Sequence, residues 1–240
     1  MKPLQLFFED KNVNRVLDIG TGTGDFMKVL NDTFGDGAQL IGIDPGEQRL
    51  KEARARFKEN GHIEFRCMGG EHLHFEDDAF DVVSISNALH HLEDIEQSFN
   101  EMKRVVHSDG WIIIDELTDG ELSEAQENQK MLHHFKSFVD RLHGISHRET
   151  WTKDEILAII EENGIHPEHL FLHQRMKKPS FDELFLEEKY YEMENLLEEL
   201  QGRPEYELKK DLLPLFKERI KKYGFQTATQ LLVIGKVKKG

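Results

Sequence analysis

The chain has 240 residues, 38% of them hydrophobic, enough for one substantial core, and carries a formal net charge of −15 at pH 7. That acidity argues against a nucleic-acid partner, because phosphate binding needs a local excess of lysine and arginine, and no apolar run is long enough to cross a membrane. Cys67 is the single cysteine, which excludes an internal disulfide and a cysteine metal cluster. The apolar stretch 4–8 is followed at once by Glu9 and Asp10, unlike a signal peptide, so a cytoplasmic protein with one domain over 1–240 is expected.

Residues 15–19 form an apolar run with little alternation, the pattern of a strand buried on both faces. Gly20, Gly22 and Gly24 follow, and glycines so spaced let backbone approach a ligand with no Cβ in the way. The loop reads as a cradle. A dinucleotide fingerprint would read G-x-G-x-x-G; here the third glycine falls at 24 and Asp25 comes next, which disfavours NAD. A helix is predicted over 24–34, then a second apolar strand over 40–43 that ends in Asp44. Such an acid stands outside the carboxyl ends of parallel strands, where its two oxygens can receive both hydroxyls of a ribose and would repel a ribose phosphate.

The alternation continues with a helix over 47–60 stopped by Gly61, a short strand over 63–67, a strand over 80–86 and a helix over 95–107. A Ser108-Asp109-Gly110 turn then introduces an apolar strand over 111–114. The fold class this predicts is α/β: a doubly wound, mostly parallel sheet whose sites gather at the carboxyl ends of its strands.

Past residue 116, Leu122, Ala125, Leu132, Phe135, Phe138, Val139 and Leu142 recur at helical intervals, predicting one amphipathic helix over 121–142. Thr152 and Glu155 form a capping box, with Trp151 placed to staple onto Ile156. A strand is expected at 170–172. Ser180-Phe181-Asp182-Glu183 reads as another capping box, opening a helix to about residue 200. Pro204 suits a first helical turn, and Pro214 should kink or divide the stretch that runs on to Tyr223. A closing strand is expected over 229–237. Between 182 and 199 there are eight acidic residues and one lysine, while 209–222 is mostly basic. Two solvated helix faces in weak attraction account for this; an acidic rim that draws a cationic amine is the sharper alternative.

Four segments in this order and spacing, Val16-Leu17-Asp18-Ile19-Gly20-Thr21-Gly22-Thr23-Gly24, Gly42-Ile43-Asp44, the stretch 80–92 ending Asn87-Ala88-Leu89-His90-His91-Leu92, and 102–111, resemble the class I S-adenosylmethionine-dependent methyltransferases, in particular the small-molecule group of ubiquinone/menaquinone-biosynthesis type. The resemblance covers 14 to about 116. It implies a seven-stranded sheet with an antiparallel last strand, and S-adenosyl-L-methionine as the cofactor. Asp18 and the backbone of Gly20 and Gly22 would hold its amino acid part, and Asp44 its ribose. Two departures stand out. Gly69 occupies the place where the family commonly has an acid on the adenine amino group, so the backbone of Gly70 and Glu71, with the Glu71 carboxylate, is expected at the adenine edge. The last two strands are also separated by a helical insertion, 180–223.

The reaction the resemblance implies is transfer of a methyl group to a small-molecule acceptor near the ends of the strands over 80–86 and 111–114. Asn87, His90 and His91 follow the first of these, and Asp115 and Glu116 the second. Displacement on an activated electrophile needs alignment, exclusion of water and, for a protonated nucleophile, a base, which suits histidine. His91 and His90 are the candidate bases and Asn87 a positioning group. Since little chain precedes residue 15, the additions 121–142 and 180–223 are expected to supply a lid over the acceptor or a homodimer contact. No metal is expected: His133 and His134 point about 100° apart on a helix, and only His143-x-x-x-His147 offers a ligand spacing. A dinucleotide-dependent oxidoreductase and a non-catalytic, partner-binding methyltransferase fold remain the alternatives.

Overall fold

The computed structural model describes residues 1–237. Its strands are β1 (Arg15–Ile19), β2 (Gln39–Asp44), β3 (Ile63–Cys67), β4 (Phe80–Ser86), β5 (Val106–Leu117), β6 (Ile165–His173) and β7 (Gln230–Val237). The helices are α1 (Lys2–Phe8), α2 (Asp25–Phe34), α3 (Glu47–Arg56), α4 (Ile95–Val105), α5 (Glu124–Leu142), α6 (Lys153–Glu162), α7 (Glu183–Glu198), α8 (Pro204–Lys209) and α9 (Leu212–Tyr223). The strands form one sheet in the order β3-β2-β1-β4-β5-β7-β6, parallel from β3 to β5, with β7 entering antiparallel. This is the doubly wound, Rossmann-like architecture expected from the alternation of strands and helices. Among the described residues no helix is long and apolar enough to cross a membrane.

The chain divides into two compact units, residues 1–116, 157–171 and 232 onward, and residues 117–156 with 172–231. In the first, the central strands are apolar on both faces. Val16, Leu17, Leu40, Ile41, Val82 and Val83 are fully buried, which is why these segments read as continuous runs rather than alternating ones. The stretch 4–8 forms most of α1, with Pro3 tolerated in its first turn, and Leu4 and Phe8 join the core cluster around Val16, Leu30 and Leu40. Here the sequence showed an apolar stretch and the structure shows a packed helix.

Three boundaries in this unit differ from expectation. α3 ends at Arg56 instead of running to 60, because Phe57 turns inward against Phe65 and the chain closes a tight turn, Asn60 N–H donating to the Phe57 carbonyl at 2.9 Å. The turn at 108–110 lies inside β5: while β4 advances from Phe80 to Val82, β5 advances from Val106 to Trp111, so the segment is an excursion of the strand. β6 is also longer than expected. It starts at Ile165 and carries Pro167, which the edge position of this strand tolerates because no neighbour requires its missing N–H.

The second unit contains both helical additions. α5 starts at Glu124 after a reciprocal capping box between Ser123 and Gln126. Leu132, Phe135 and Val139 of α5 meet Met193, Leu196 and Leu197 of α7 and Phe216 and Ile220 of α9 in a core of their own. α7 is capped by Asp182, whose carboxylate accepts from Phe185 N–H at 2.9 Å, and not by Ser180 as the sequence suggested. The aspartate directly ahead of the helix stands at the capping position, and Ser180 lies two residues too early. The helical stretch 204–223 is divided at 210–211, ahead of Pro214, which falls in the first turn of α9 where it costs no hydrogen bond. Lys217 Nζ sits 4.5 Å from the centre of the Tyr190 ring, tying the basic helix to the acidic one. Phe181, Leu184 and Tyr191 are more than half exposed, whereas Phe135 is core.

Candidate functional site

The carboxyl ends of β1, β2, β4 and β5 bring polar groups together within the first unit. Asp18, Asp44, Asp115 and Glu116 are each at most 3% exposed. Such burial is costly for carboxylates, so what holds each one defines the site.

The loop after β1 turns back on β2. Gly20, at φ +67°, is packed so tightly that a Cβ there would lie 2.4 Å from Ala88 Cβ. Gly22, at φ +54°, has no atom within 4 Å of where a Cβ would be. One glycine is required by packing; the other leaves backbone bare beside open space. Gly22 N–H donates to Asp44 Oδ2 at 3.1 Å, so the cradle and the acid at the end of β2 are one assembly. Asp44 Oδ1 accepts from Gly46 N–H at 2.7 Å and from Arg49 Nε and Nη2 at 3.1 and 2.9 Å.

Asp18 Oδ1 accepts from the Ser84 hydroxyl at 2.8 Å, while its Oδ2, equally buried, makes no well-formed hydrogen bond among the described residues. Burial raises the Asp18 carboxyl to about 7; the Thr21 and Ser84 hydroxyls offset part of this, and the charges of Asp115 and Asp44 add to it. An unsatisfied acid of this kind suits a cationic, hydrogen-bond-donating group.

In the loop after β3, Gly70 is buried against Ile19, and the Glu71 carboxylate folds back toward Gly69, with Oε2 3.2 Å from the position a Gly69 Cβ would occupy. Glu71 Oε1 accepts from Glu93 N–H at 3.3 Å, and the Glu71 carbonyl from Gln97 Nε2 at 3.1 Å. The carboxylate thus stands over the position where the resemblance leads one to expect an acid.

At the end of β4, Asn87 takes a left-handed backbone, φ +47°, and its N–H donates to the Asp115 carbonyl at 2.8 Å. Ser86 Oγ donates to Asp115 Oδ2 at 3.0 Å. The 3-10 turn Leu89–His91 follows, held by Glu116, whose Oε2 accepts from Leu89 N–H at 3.1 Å and whose Oε1 lies 2.9 Å from His90 Nδ1. The His90 ring is buried and its neighbour His91 is exposed, their ring centroids 4.4 Å apart. Consecutive acids at the end of β5 therefore clamp the turn that carries Asn87, His90 and His91.

The nine candidate site residues lie in the first unit at the carboxyl ends of β1 to β4, Asp18 and Asp44 within their strands and the other seven on the loops that follow. Sequence reasoning missed Arg49, Ser84 and Ser86, and noted Glu116 without its link to His90. Arg49 is five residues past Asp44, within reach of a side chain folding back along a helix start; the two serines are polar positions in the buried, carboxyl-terminal half of a strand whose other polar residue, Asp81, lies near its start.

Residues 17–114 match the family model described as a methyltransferase domain. With the sheet order and the antiparallel β7, this gives the chain a class I S-adenosylmethionine-dependent methyltransferase fold. The chain is similar to an uncharacterized methyltransferase of Bacillus subtilis (strain 168), 27% identical over 155 residues, 63% of this chain and 57% of that protein. It is also similar to the ubiquinone/menaquinone biosynthesis C-methyltransferase of Pseudomonas fluorescens (strain Pf0-1), 34% identical over 108 residues, 44% of this chain and 42% of that protein. The chain spans about half the length of these curated relatives. Among solved structures, the YcgJ protein from Bacillus subtilis superposes with a TM-score of 0.60 at 19% identity, covering 100% of this chain and 99% of that one. The [4+2]-cyclase SpnF does so with a TM-score of 0.63 at 17% identity, covering 100% and 82%.

Proposed function

We propose that this chain transfers a methyl group from S-adenosyl-L-methionine to a small-molecule acceptor. The observation that carries the proposal is the bond from Gly22 N–H to Asp44, which joins a bare backbone cradle to a buried acid at the end of the second strand. A cyclase shares the fold, so the reading rests on the site.

The residues present fit the cofactor. The unpartnered Asp18 Oδ2 beside Gly20 and Gly22 suits the ammonium of its amino acid part, Asp44 the ribose, and Glu71 with the backbone of Gly70 the adenine edge. Bound there, the cofactor supplies an electrophilic methyl group. The chain's own task is then to orient and dry the acceptor. Glu116 fixes the His90 ring and the turn around it, so His90 acts by shaping the site, while exposed His91 is the group able to take a proton. Asn87, held in a strained conformation at the strand end, is a positioning group. A quinone-like acceptor is suggested by similarity to methyltransferases of ubiquinone and menaquinone biosynthesis. For the additions 121–142 and 180–223 the proposal is a lid or subunit-interface role, separable by whether truncation of 180–223 lowers turnover or changes the oligomeric state.

Calorimetry with S-adenosylmethionine and with NAD tests the cofactor class. Micromolar binding of the first and none of the second is expected; tight NAD binding in its absence refutes the proposal. A screen of cofactor consumption across phenols, quinols, amines and thiols then identifies the nucleophile.

A further inference from the structure

Of the four donors on the Asp44 carboxylate, three crowd one oxygen. Each carboxylate oxygen offers about two lone-pair directions: Oδ2 receives only Gly22 N–H and keeps one open, whereas Oδ1 receives Gly46 N–H, Arg49 Nε–H and Arg49 Nη2–H, so of the four donors it is the guanidinium that fills the oxygen a second hydroxyl would need. Two of the four are backbone groups of the loops that build the cradle. The other two belong to one guanidinium on a half-exposed side chain. Gly46 makes room for it, since a Cβ at that position would lie 2.9 Å from Arg49 Nε and from Asp44 Oδ1.

We infer that Arg49 is a resident competitor for the ribose site: a vicinal diol takes both oxygens of Asp44 only by displacing the Arg49 guanidinium, and this exchange sets the affinity for the nucleoside. The inference rests on the nucleoside reading of the site given above. The backbone donors cannot leave without undoing the loops, whereas the exposed guanidinium exchanges its carboxylate for water at little cost. Arg49 therefore satisfies a buried charge in the free protein and lowers the affinity of the bound state. A diol-containing ligand senses the competitor and a ligand without the diol does not.

The experiment titrates wild type, Arg49→Gln and Arg49→Lys with S-adenosylhomocysteine, which lacks the sulfonium charge, and with 2′,3′-dideoxyadenosine. Arg49→Gln should bind S-adenosylhomocysteine about twofold to fivefold more tightly than wild type, the span expected when a half-exposed ion pair no longer has to be broken. Arg49→Lys, which keeps the charge and loses the fork, should fall between them. The dideoxynucleoside should bind all three alike. In wild type, the Arg49 Nε–H resonance should leave its ion-paired position on saturation with S-adenosylhomocysteine. Weaker or unchanged binding in Arg49→Gln overturns the inference, as does an Nε–H signal that stays paired in the complex. If wild type binds neither S-adenosylmethionine nor S-adenosylhomocysteine, the nucleoside reading itself has failed. The Nε–H signal in the free protein, compared with Asp44→Asn, reports the ion pair independently of any ligand.

Discussion

Glu116 holds His90 by its side chain and the preceding residue by its backbone: the two carboxylate oxygens lie 2.9 Å from His90 Nδ1 and 3.1 Å from Leu89 N, and both side chains are buried. One acid at the end of β5 thereby fixes the turn that follows β4. Replacing Glu116 by alanine leaves a buried imidazole nitrogen and a buried N–H without this acceptor. The expected loss is about 1–3 kcal/mol of stability, measured by urea unfolding. Glu116→Gln keeps an acceptor oxygen and should recover at least half of it. If alanine and glutamine are equally well tolerated, the clamp has no structural role.

Asp18 links stability to pH. Its carboxyl is raised from an ordinary 3.8 to about 7 in the folded chain, mainly by burial. The folded state therefore holds this proton more tightly than the unfolded state does, and the contribution is full below about pH 4 and lost as pH rises through 7. At 1.36 kcal/mol per unit the whole change is at most about 4 kcal/mol. Asp18→Asn, which never ionises, should be more stable than wild type at pH 8 and should flatten the profile between pH 5 and 8. A wild-type profile already flat over that range would contradict the buried, protonated acid.

The same residue should make cofactor binding pH-dependent. If the charged form of Asp18 meets the ammonium of S-adenosylmethionine, binding must first release the proton, and affinity falls as pH drops below 7, approaching tenfold per unit. Asp18→Asn should bind weakly at every pH. Calorimetry at pH 6, 7 and 8 distinguishes this from a pH-independent site.

Much of this was legible in the sequence, and for identifiable reasons. β1, β2 and β4 are buried on both faces, so their apolar runs are long and their ends sharp, and the glycine loop and Asp44 fall where those ends are. The errors lie where a tertiary contact overrides a local pattern. Phe57 ends α3 early by turning toward Phe65, the Asp182 carboxylate displaces Ser180 as a cap, and β6 continues through Pro167 because it is an edge. Within the site, residue types at strand ends could be read one by one. Their pairings, Arg49 with Asp44 and Glu116 with His90, could not, because a sequence does not show which oxygen a side chain five or twenty-six residues away will reach.

Asp44 and Glu71 should differ in how much of the cofactor's affinity they carry. Asp44→Asn retains the shape of the group, keeps one acceptor oxygen for only one of the Gly22 and Gly46 N–H groups and removes the charge; the fold should survive with a loss of about 1–3 kcal/mol of stability. Affinity for S-adenosylhomocysteine should fall by about 1.5–3 kcal/mol, the worth of charge-assisted hydrogen bonds. Glu71→Gln keeps a carbonyl oxygen over Gly69 and should cost less than about 1 kcal/mol. A larger loss at Glu71 than at Asp44 would place the main recognition at the adenine edge and not at the ribose.

Gly20 and Gly22 offer the sharpest contrast, because both take positive φ and only one is packed. An alanine at either position carries the left-handed backbone cost of about 1–2 kcal/mol. At Gly20 the new Cβ would also lie 2.4 Å from Ala88 Cβ, on the residue that leads into the Leu89–His91 turn, so Gly20→Ala should lose about 2–4 kcal/mol or fail to accumulate as folded protein. At Gly22 the new methyl group meets nothing within 4 Å, so Gly22→Ala should fold with only the backbone cost. That open space is where the proposed cofactor must lie against the loop. Gly22→Ala should therefore keep a cooperative thermal transition within a few degrees of wild type while S-adenosylmethionine affinity drops at least tenfold. Unchanged affinity in that folded variant would mean the backbone at Gly22 faces solvent and not a ligand, and the cradle would lose its function.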